Sequence, residues 1–402
     1  MKLIVTMDWA GRPEKVGELE VFTTRGRETY QFTYAKEWTT KGFQIDPALD
    51  LVPGFAHHNQ KLPGSFQDIS PDRWGRLVQQ RVRSGFLSDA DFLLGVSDRM
   101  RMGAMRLSEA GRPDVFLADN TNVPRLVNIP ALEEASRRLE RGLETEEDLR
   151  QLLGPGTSLG GARPKAAVQD GGKLYLAKFP SSLDTERVSA WEATLLDLAQ
   201  RAGISAARHR LLNKDDERPI LLLERFDRTD AGRIPFASAM TLAGLCDGQD
   251  ASYGELASVV SSLSSQSKLD SFDLWRRMVF NAMTGNTDDH LRNHAFLRDR
   301  QGWRLSPAYD LNPSNEPFER RTHALAFLPG ESKPSLDLCK EMAAFFNLDK
   351  RQVEHGLKAI GSALAQWRAL AKQNGLTESE IKRKAAAFEH QDSERLISLS
   401  PE

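Results

Sequence analysis

The sequence predicts an α+β protein in which two β-rich parts come before a mostly helical part. Apolar and polar residues alternate with a period of two within residues 1–40, which is typical of half-buried strands. Two short runs, 166–169 and 173–179, flank the Asp-Gly-Gly at 170–172, and Asp-Gly is a strong signal for a β-hairpin turn. From about residue 236 onward, apolar residues recur mostly at helical spacing.

The N-terminal part, residues 1–125, is predicted to be a β-rich subdomain with short helices. Its elements are expected as strands at 3–7, 16–22 and 30–34, and as helices at 73–83 and 89–95. A helical linker, 126–155, follows, and its dense charges indicate a solvated helix face.

Residues 156–230 form the second β-rich part, which is predicted to be a small lobe. It begins within GPGTSLGGARPK, where four glycines and two prolines in twelve residues indicate a loop. After the hairpin, a helix is expected at 186–202 and ends at Gly203, because glycine favours the position after a helix. A second hairpin is expected from 209–213 and 220–226.

Residues 231–402 are predicted to form an all-helical large lobe. Six residues repeat at helical spacing and indicate a buried helix face: Leu274, Trp275, Met278, Val279, Ala282 and Met283. Further helices are expected within 334–395, and the serine-rich stretch 258–267 fits a flexible loop or a helix edge.

Composition excludes several classes of protein. The chain has 402 residues, with 54 Lys plus Arg and 56 Asp plus Glu, so its net charge of −2 argues against a dedicated nucleic-acid binder. The two cysteines are far apart in the sequence and form no CxxC, which indicates a reducing compartment. No signal peptide is indicated, and no run approaches the roughly 20 apolar residues that cross a bilayer. We therefore expect a cytoplasmic enzyme or binding protein without a membrane contact.

The segment GNTDDHLRNHAFL, 285–297, carries the most informative chemistry. Asp288 and Asn293 have the D-x-x-x-x-N spacing of kinase catalytic loops, in which an Asp accepts the hydroxyl proton and an Asn holds Mg²⁺. A predicted hairpin then leads to Asp310, where a second metal-binding carboxylate belongs. Asp289 is an alternative base, and His290 either orients this loop, contacts a phosphate or bonds the backbone.

Two residues upstream complete a kinase-like order. Lys178 ends an apolar strand, and Glu192 follows in the next helix, as in the kinase Lys–Glu ion pair that positions ATP. The glycine-rich loop 154–161 fits neither GxxxxGK[ST] nor GxGxxG, so on its own it is equally a connecting loop. No HExxH zinc spacing and no GxSxG hydrolase elbow occur. Together these residues predict a bilobed, protein-kinase-like fold.

The same residues resemble the HipA family of bacterial serine/threonine kinases, the toxins of type II toxin–antitoxin systems. The motifs SLGGARPK (158–165), LAKFP, WEATLLDLAQRAGI, LLLERFDR, NTDDHLRNHAF and LSPAYDLNPS follow in the family's order. FQDISPDRWGRLV and MGAMRL are similar to the family's N-terminal subdomain. The resemblance covers roughly residues 1–380.

The resemblance implies a role for each matching residue. Lys178 resembles the lysine that binds the ATP phosphates, Asp288 resembles the catalytic base, and Asn293 and Asp310 resemble the Mg²⁺ ligands. Glu224 and Phe226 lie where the family's connector holds adenine. The remaining positions belong to the loop over the phosphates, which includes Ser158. The N–H groups of Gly160, Gly161 and Ala162 would face the phosphates. The cations Arg163 and Lys165 could meet phosphate or remain solvated.

Ser158 matches the serine that such kinases autophosphorylate, which expels the loop and inactivates the enzyme. A phosphoserine adds about −2 charge, and close to the phosphates of ATP that charge is repulsive.

The resemblance also implies partners. The family's kinases act on proteins, including aminoacyl-tRNA synthetases, and the usual partner is a small helix-turn-helix antitoxin that binds operator DNA. This chain would then meet DNA only through that partner, and its activity would arrest growth by blocking translation. Three alternatives stay open: a kinase of a small molecule or lipid, a catalytically silent corepressor that binds a DNA-binding antitoxin, and a phosphotransferase that modifies an antibiotic.

Overall fold

The computed structural model describes residues 1–9, 11–83, 85–118, 123–153 and 161–399. The strands are β1 Lys2–Trp9, β2 Arg12–Thr24, β3 Arg27–Tyr34, β4 Ala56–Asn59, β5 Met105–Glu109, β6 Arg112–Phe116, β7 Lys165–Asp170, β8 Lys173–Lys178, β9 His209–Leu212, β10 Ile220–Glu224, β11 Arg228–Thr229, β12 Gly232–Arg233, β13 Phe236–Ser238, β14 Ala295–Arg298 and β15 Trp303–Leu305.

The α-helices are α1 Lys36–Lys41, α2 Gly64–Gln67, α3 Arg73–Val82, α4 Asp89–Leu94, α5 Ile129–Glu140, α6 Glu146–Leu153, α7 Val188–Arg201, α8 Ala239–Leu242, α9 Tyr253–Leu263, α10 Ser267–Thr284, α11 Leu336–Glu341, α12 Lys350–Leu364, α13 Trp367–Gln373, α14 Glu378–Lys384 and α15 Gln391–Ile397. Short 3₁₀ turns lie at Leu126–Asn128, Leu291–Asn293, Phe318–Arg320, Met342–Phe346 and Ala385–Ala387.

The chain divides into two units, and each unit is built from two stretches of sequence. The first unit is Met1–Ser182 with Arg225–Cys246, and the second is Leu183–Glu224 with Asp247–Glu402. The chain therefore leaves the first unit, returns to it and leaves it again. The division into four parts that the sequence suggested stays a prediction.

A six-stranded antiparallel sheet forms the centre of the N-terminal part of the first unit, in the order β4-β3-β2-β1-β5-β6. Leu3, Val5 and Met7 of β1 alternate along the strand and are all buried, as their spacing predicted. β1 pairs with β2 and β5, so that it lies inside the sheet. The predicted β-rich start of the chain is confirmed.

Two helices of the first unit, α3 and α4, have clear N-terminal caps. Asp72 caps α3 by accepting a hydrogen bond from the Gly75 amide at 2.8 Å, and Ser88 caps α4 through the Asp91 amide. Both helices agree with their predicted positions. The charged stretch after residue 126 forms α5 and α6, and four apolar residues of α5 are buried: Ile129, Leu132, Ala135 and Leu139.

The stretch 225–246 is held in the first unit by a buried ionic cluster. Asp227 is fully buried and accepts two hydrogen bonds from Arg225, each at 2.7 Å, and one from Arg228. The Gly103 amide donates a further hydrogen bond to Asp227, at 2.7 Å. Arg225 also donates to the Met100 carbonyl at 3.0 Å. These bonds tie a returning segment to residues more than 120 positions earlier.

The second unit is mostly helical. In α7, ten of the 14 residues are buried. The helix ends at Arg201, and Gly203, two residues later, adopts a left-handed conformation and donates its amide to the Gln200 carbonyl at 3.0 Å. β9 and β10 pair in antiparallel fashion, and β14 and β15 form the predicted hairpin. The serine-rich stretch, expected as a loop or helix edge, forms the end of α9 and the start of α10. Within the described residues, no helix is both long and apolar enough to cross a membrane.

Candidate active site

The segment that carries the predicted catalytic residues, 285–294, starts where α10 ends. Gly285 adopts a left-handed conformation with φ of +68°, and its amide donates to the Asn281 carbonyl. An added Cβ there would lie 3.0 Å from Cζ of Arg321, so glycine is needed for both conformation and space. The helix end therefore fixes where the 285–294 segment begins.

Asp288 presents an accessible carboxylate in this segment. Its side chain is exposed, and within the described residues no hydrogen bond to the carboxylate oxygens is seen. A 3₁₀ turn at Leu291–Asn293 brings Asn293 back, so that its Nδ2 donates to the Asp288 carbonyl at 3.1 Å. Partial burial raises the pKa of Asp288, His290 lowers it, and Asp310 and Asp289 raise it further. A raised pKa makes this carboxylate a better proton acceptor.

Asp289, the alternative base, has a different environment. Only 1% of it is exposed, and its carboxylate binds the Tyr253 hydroxyl and His294 Nε2, the latter at 3.0 Å. Burial raises the pKa of Asp289, but His294 and Tyr253 outweigh burial and lower it. Its carbonyl also accepts from the Leu325 amide at 2.7 Å. The contacts make Asp289 an anchor of the 285–294 segment and leave Asp288 as the accessible acid.

Polar side chains continue this anchor beneath the segment. Asn281 on α10 donates to the Tyr253 hydroxyl at 3.1 Å and accepts from Asn286 Nδ2 at 3.2 Å. Asn286 in turn accepts from the Asn312 amide at 3.2 Å. A continuous buried network thus joins α9, α10 and the backbone that follows Asp310.

Asp310 lies at the start of this second backbone stretch. It adopts a left-handed conformation with φ of +58°, which costs energy for most residues but is tolerated best by Asp and Asn. Asn312 Nδ2 lies 3.5 Å from Asp310 Oδ1. The negative charge of Asp310 is one of the causes that raise the pKa of Asp288.

His290 lies two residues after Asp288 in the same segment. Its Nδ1 is buried and has no hydrogen-bond partner among the described residues. Among the described residues this nitrogen therefore makes no bond to the backbone, and the role of His290 stays a prediction. His290 acts on Asp288 by lowering its pKa.

The other predicted site residues are distributed over both units. In the first unit, Lys178 ends β8, and Phe226 is half-buried between the buried Arg225 and Asp227. In the second unit, Glu192 in α7 is 2% exposed and Glu224 ends β10. Glutamate side chains on helices are usually exposed, because a buried carboxylate needs partners. The buried Glu192 departs from this rule.

Most of the phosphate loop lies outside the described residues, including Ser158 and Gly160. Gly161 and Ala162 are exposed. Gly161 has φ of +104°, and an added Cβ would lie 3.1 Å from Lys165 Nζ. A side chain at Gly161 would therefore meet both a backbone and a steric cost.

Lys165 is not a solvated loop cation. Its side chain is 2% exposed, and Nζ donates to Asp72 Oδ2 at 2.8 Å. Burial raises the pKa of Asp72, although the charge of Lys165 lowers it. The other Asp72 oxygen caps α3, so Lys165 anchors the start of β7 to α3 and does not point to solvent.

Lys165→Met is expected to lower the free energy of unfolding of the first unit by about 2 kcal/mol, because Asp72 loses a buried partner. A protonated Asp72 would limit this loss. Urea denaturation checks the effect, and the double variant Lys165→Met/Asp72→Asn should lose less than the two single variants together. Additive losses would show that the two side chains do not interact.

Within the described ranges, no group of three or more His, Cys, Asp or Glu side chains is placed to hold a metal ion. Mg²⁺ is usually held by one or two carboxylates together with substrate phosphates and water, so a full protein cage is not needed. The Asn312 side-chain oxygen is buried without a partner among the described residues, next to Asp310. The Asp310 carboxylate and the Asn312 oxygen beside it are ligands of the kind that such an ion binds, and Asn293 stays a predicted ligand.

Comparison with protein families agrees with the resemblance found in the sequence. The HipA-like C-terminal domain matches residues 157–375, more than half of the chain, and the HipA N-terminal domain matches residues 9–108. The chain belongs to the HipA family. Membership of this kinase-like family agrees with the kinase order of residues predicted from the sequence.

Individual relatives of this HipA-family chain are distant in sequence. A protein of Sinorhizobium fredii named as a kinase, Y4dM, is 24% identical over 327 residues, which cover 77% of this chain and 74% of that protein. Toxin YjjJ of Escherichia coli is 23% identical over 56% of this chain and 50% of its own length.

A solved structure shows that the fold is shared. HipA of Shewanella oneidensis, in complex with HipB and operator DNA, has a TM-score of 0.72 and 17% sequence identity. The match covers 99% of this chain and 96% of that one. The kinase-like fold with a β-rich N-terminal part is thereby confirmed.

Sequence reasoning missed several residues that shape the site. Tyr253, Asn281 and Asn286 carry no local motif, and only their burial around Asp289 reveals them. Asn312 was detectable in principle, because an amide two residues after Asp310 repeats the metal-ligand chemistry of Asn293.

Proposed function

We propose that this chain is an ATP- and Mg²⁺-dependent serine/threonine protein kinase of HipA type. The observation that carries the proposal is the contrast within the 285–294 segment. Asp288 is exposed and its oxygens have no hydrogen-bond partner among the described residues, while Asp289 is buried and anchored. A general base must be accessible to the acceptor hydroxyl, and the kinase spacing to Asn293 assigns that role to Asp288.

The proposed reaction moves one phosphoryl group. The acceptor hydroxyl oxygen forms a bond to the γ-phosphorus as its proton passes to Asp288, and the bond from that phosphorus to the bridging oxygen breaks to release ADP. Lys178, with Glu192, positions the phosphates, while Gly160, Gly161 and Ala162 offer N–H groups and His290 orients the site. Glu224 and Phe226 hold the adenine. Asn293 and Asp310, with Asn312 beside Asp310, would hold Mg²⁺, which when bound neutralises charge on the phosphate oxygens.

In the cell, we propose a growth-arresting toxin that phosphorylates a translation component such as an aminoacyl-tRNA synthetase. A helix-turn-helix antitoxin is the proposed partner, with DNA bound only through it. Two relatives support this proposal: the Shewanella oneidensis HipA was solved with HipB and operator DNA, and YjjJ is named as a toxin. The cytoplasm stays the expected location.

Incubation with Mg²⁺-ATP tests the activity. We expect wild-type protein to gain a single phosphate by intact-mass analysis, mapped to Ser158 by phosphopeptide analysis, and Ser158→Ala to gain none. If phosphate appeared on added proteins but not on Ser158, the protein-kinase proposal would stand and the proposal of self-inactivation would fail. Phosphate only on small molecules or lipids would favour that alternative. ATP binding without any transfer, together with retained antitoxin and DNA complexes, would favour the corepressor.

A further inference from the structure

The C-terminal segment, 376–399, lies beyond residues 157–375, where the HipA-like C-terminal domain matches. It contains α14, a 3₁₀ turn and α15. Several of its groups nevertheless contact the backbone on both sides of the candidate active site. These contacts are polar and directional. A helix that only covered the core would not need them, because apolar packing would be enough.

One of these contacts reaches the end of α10, immediately before the 285–294 segment. His390 Nε2 lies 3.1 Å from the Met283 carbonyl, and within the segment the Ser393 amide donates to His390 Nδ1 at 3.3 Å. The accepting Nδ1 fixes the proton on Nε2, so the ring donates to Met283. Burial lowers the pKa of His390 to about 4, which keeps the ring neutral near pH 7.

Arg321, which lies outside the C-terminal segment, bridges it to the end of α10. Its guanidinium donates to the Ala282 carbonyl at 3.4 Å and to the Ala386 carbonyl of the C-terminal segment at 2.6 Å. The last carbonyls of a helix have no partner within the helix, so donors there fix its end. The C-terminal segment thus helps to set where α10 stops and the 285–294 segment starts.

A third contact reaches the backbone that follows Asp310. Lys384 Nζ donates to the Pro313 carbonyl at 3.2 Å and pairs with Glu186 Oε1 at 2.7 Å. The Lys384 side chain is 1% exposed, and burial lowers its pKa although Glu186 raises it. A buried ammonium that binds a main-chain oxygen three residues after Asp310 restrains that stretch.

We infer that the C-terminal segment positions the phosphoryl-transfer residues, with Lys384 and His390 as positioning residues for the stretches that carry Asp310 and Asp288. The inference rests on the proposed kinase function and adds to it a part of the chain that the family domain does not include. Displacement of catalytic groups by about 1 Å can lower turnover by about 10²-fold, so restraint of these stretches matters.

Lys384→Met tests the inference, because the substitution keeps the apolar stem and removes the ammonium. Glu380→Gln is the matched control: Glu380 lies on the same helix, α14, and pairs with Arg187, and in the part of the chain that the structure describes it has no hydrogen bond to the site backbone. We expect Lys384→Met to lower kcat at least about tenfold with an unchanged KM for ATP, and Lys384→Arg to restore most of it. Glu380→Gln should retain the wild-type kcat.

Hydrogen exchange of the full-length protein provides a readout that needs no kinase activity. Lys384→Met should speed exchange at the amides of 310–316. In the Glu380→Gln protein, the same amides should exchange at the wild-type rate. Equal kcat and equal exchange in both variants would overturn the inference. If wild-type protein transferred no phosphate at all, the kinase proposal would fail, and the exchange rates would still decide whether Lys384 restrains this stretch.

Discussion

Asp288→Asn is expected to lower the rate of phosphoryl transfer by about 10²–10⁴-fold, the usual contribution of a positioned general base. The amide keeps the shape of the side chain and cannot accept the hydroxyl proton as a carboxylate does. Because no hydrogen bond to the Asp288 oxygens is seen among the described residues, the substitution removes no structural partner. Transfer of labelled phosphate from ATP, at saturating ATP, measures the effect.

Asp299→Asn is the matched control for this loss. Asp299 is exposed in the turn between β14 and β15, where its Oδ1 accepts from the Gln301 and Gly302 amides at 2.7 and 2.9 Å. An asparagine oxygen can accept the same bonds, so this variant should transfer phosphate at the wild-type rate. A rate for Asp288→Asn within about threefold of wild type would exclude Asp288 as the base, since a base contributes far more.

Asp227→Asn is expected to lower the free energy of unfolding of the first unit by about 3–5 kcal/mol, the cost of breaking a buried ion pair. The carboxylate is fully buried and holds Arg225 and Arg228, and no solvent can replace it. An amide cannot balance either charge and would leave two guanidinium groups buried. Urea denaturation, with hydrogen exchange at β5 to follow the first unit, measures the loss.

Asp89→Asn in the same unit controls for removal of one surface charge. Asp89 pairs with Arg76 at 3.0 Å, and its side chain is half exposed, so the loss should be below about 1 kcal/mol. A loss of that small size in Asp227→Asn would show that the buried cluster contributes little to stability.

The ionic cluster also predicts a dependence on pH. Burial by itself would raise the pKa of Asp227, but Arg225 and Arg228 outweigh burial and hold its pKa well below the usual range. A depressed pKa stabilises the fold above the unfolded pKa of about 4, and this stabilisation is lost as the pH falls below that value. Wild-type protein should therefore lose stability between about pH 4 and pH 2 more steeply than Asp227→Asn does.

The alternation of Leu3, Val5 and Met7 was enough to predict β1, and the Asp-Gly turn was enough to predict the β7–β8 hairpin. Each of these signals is contained within a few neighbouring residues. The spacing of Asp288 and Asn293 was equally local. A single 3₁₀ turn brings Asn293 to the Asp288 carbonyl, so five positions of sequence sufficed to indicate the pair.

Interactions between distant residues could not be derived in this way. Lys165 meets Asp72 across 93 positions, and Asp289 meets Tyr253 across 36. From the sequence, Lys165 fitted a solvated or phosphate-binding cation and Asp289 fitted a second base, since a charged side chain carries no local sign of burial. Lys384, 74 residues after Asp310, carried no motif at all.

The sequence by itself determined the family, the main strands and helices around the candidate site and the residue types expected there. It did not reveal β12 and β13, which lie in the part predicted to be all-helical. The tertiary structure alone decided which charged groups are buried with a partner and which remain accessible for chemistry. The physical reason is that burial is a property of the whole packed chain. A carboxylate packed beside Tyr253 and His294 serves as an anchor, whereas a carboxylate that meets solvent can accept a proton.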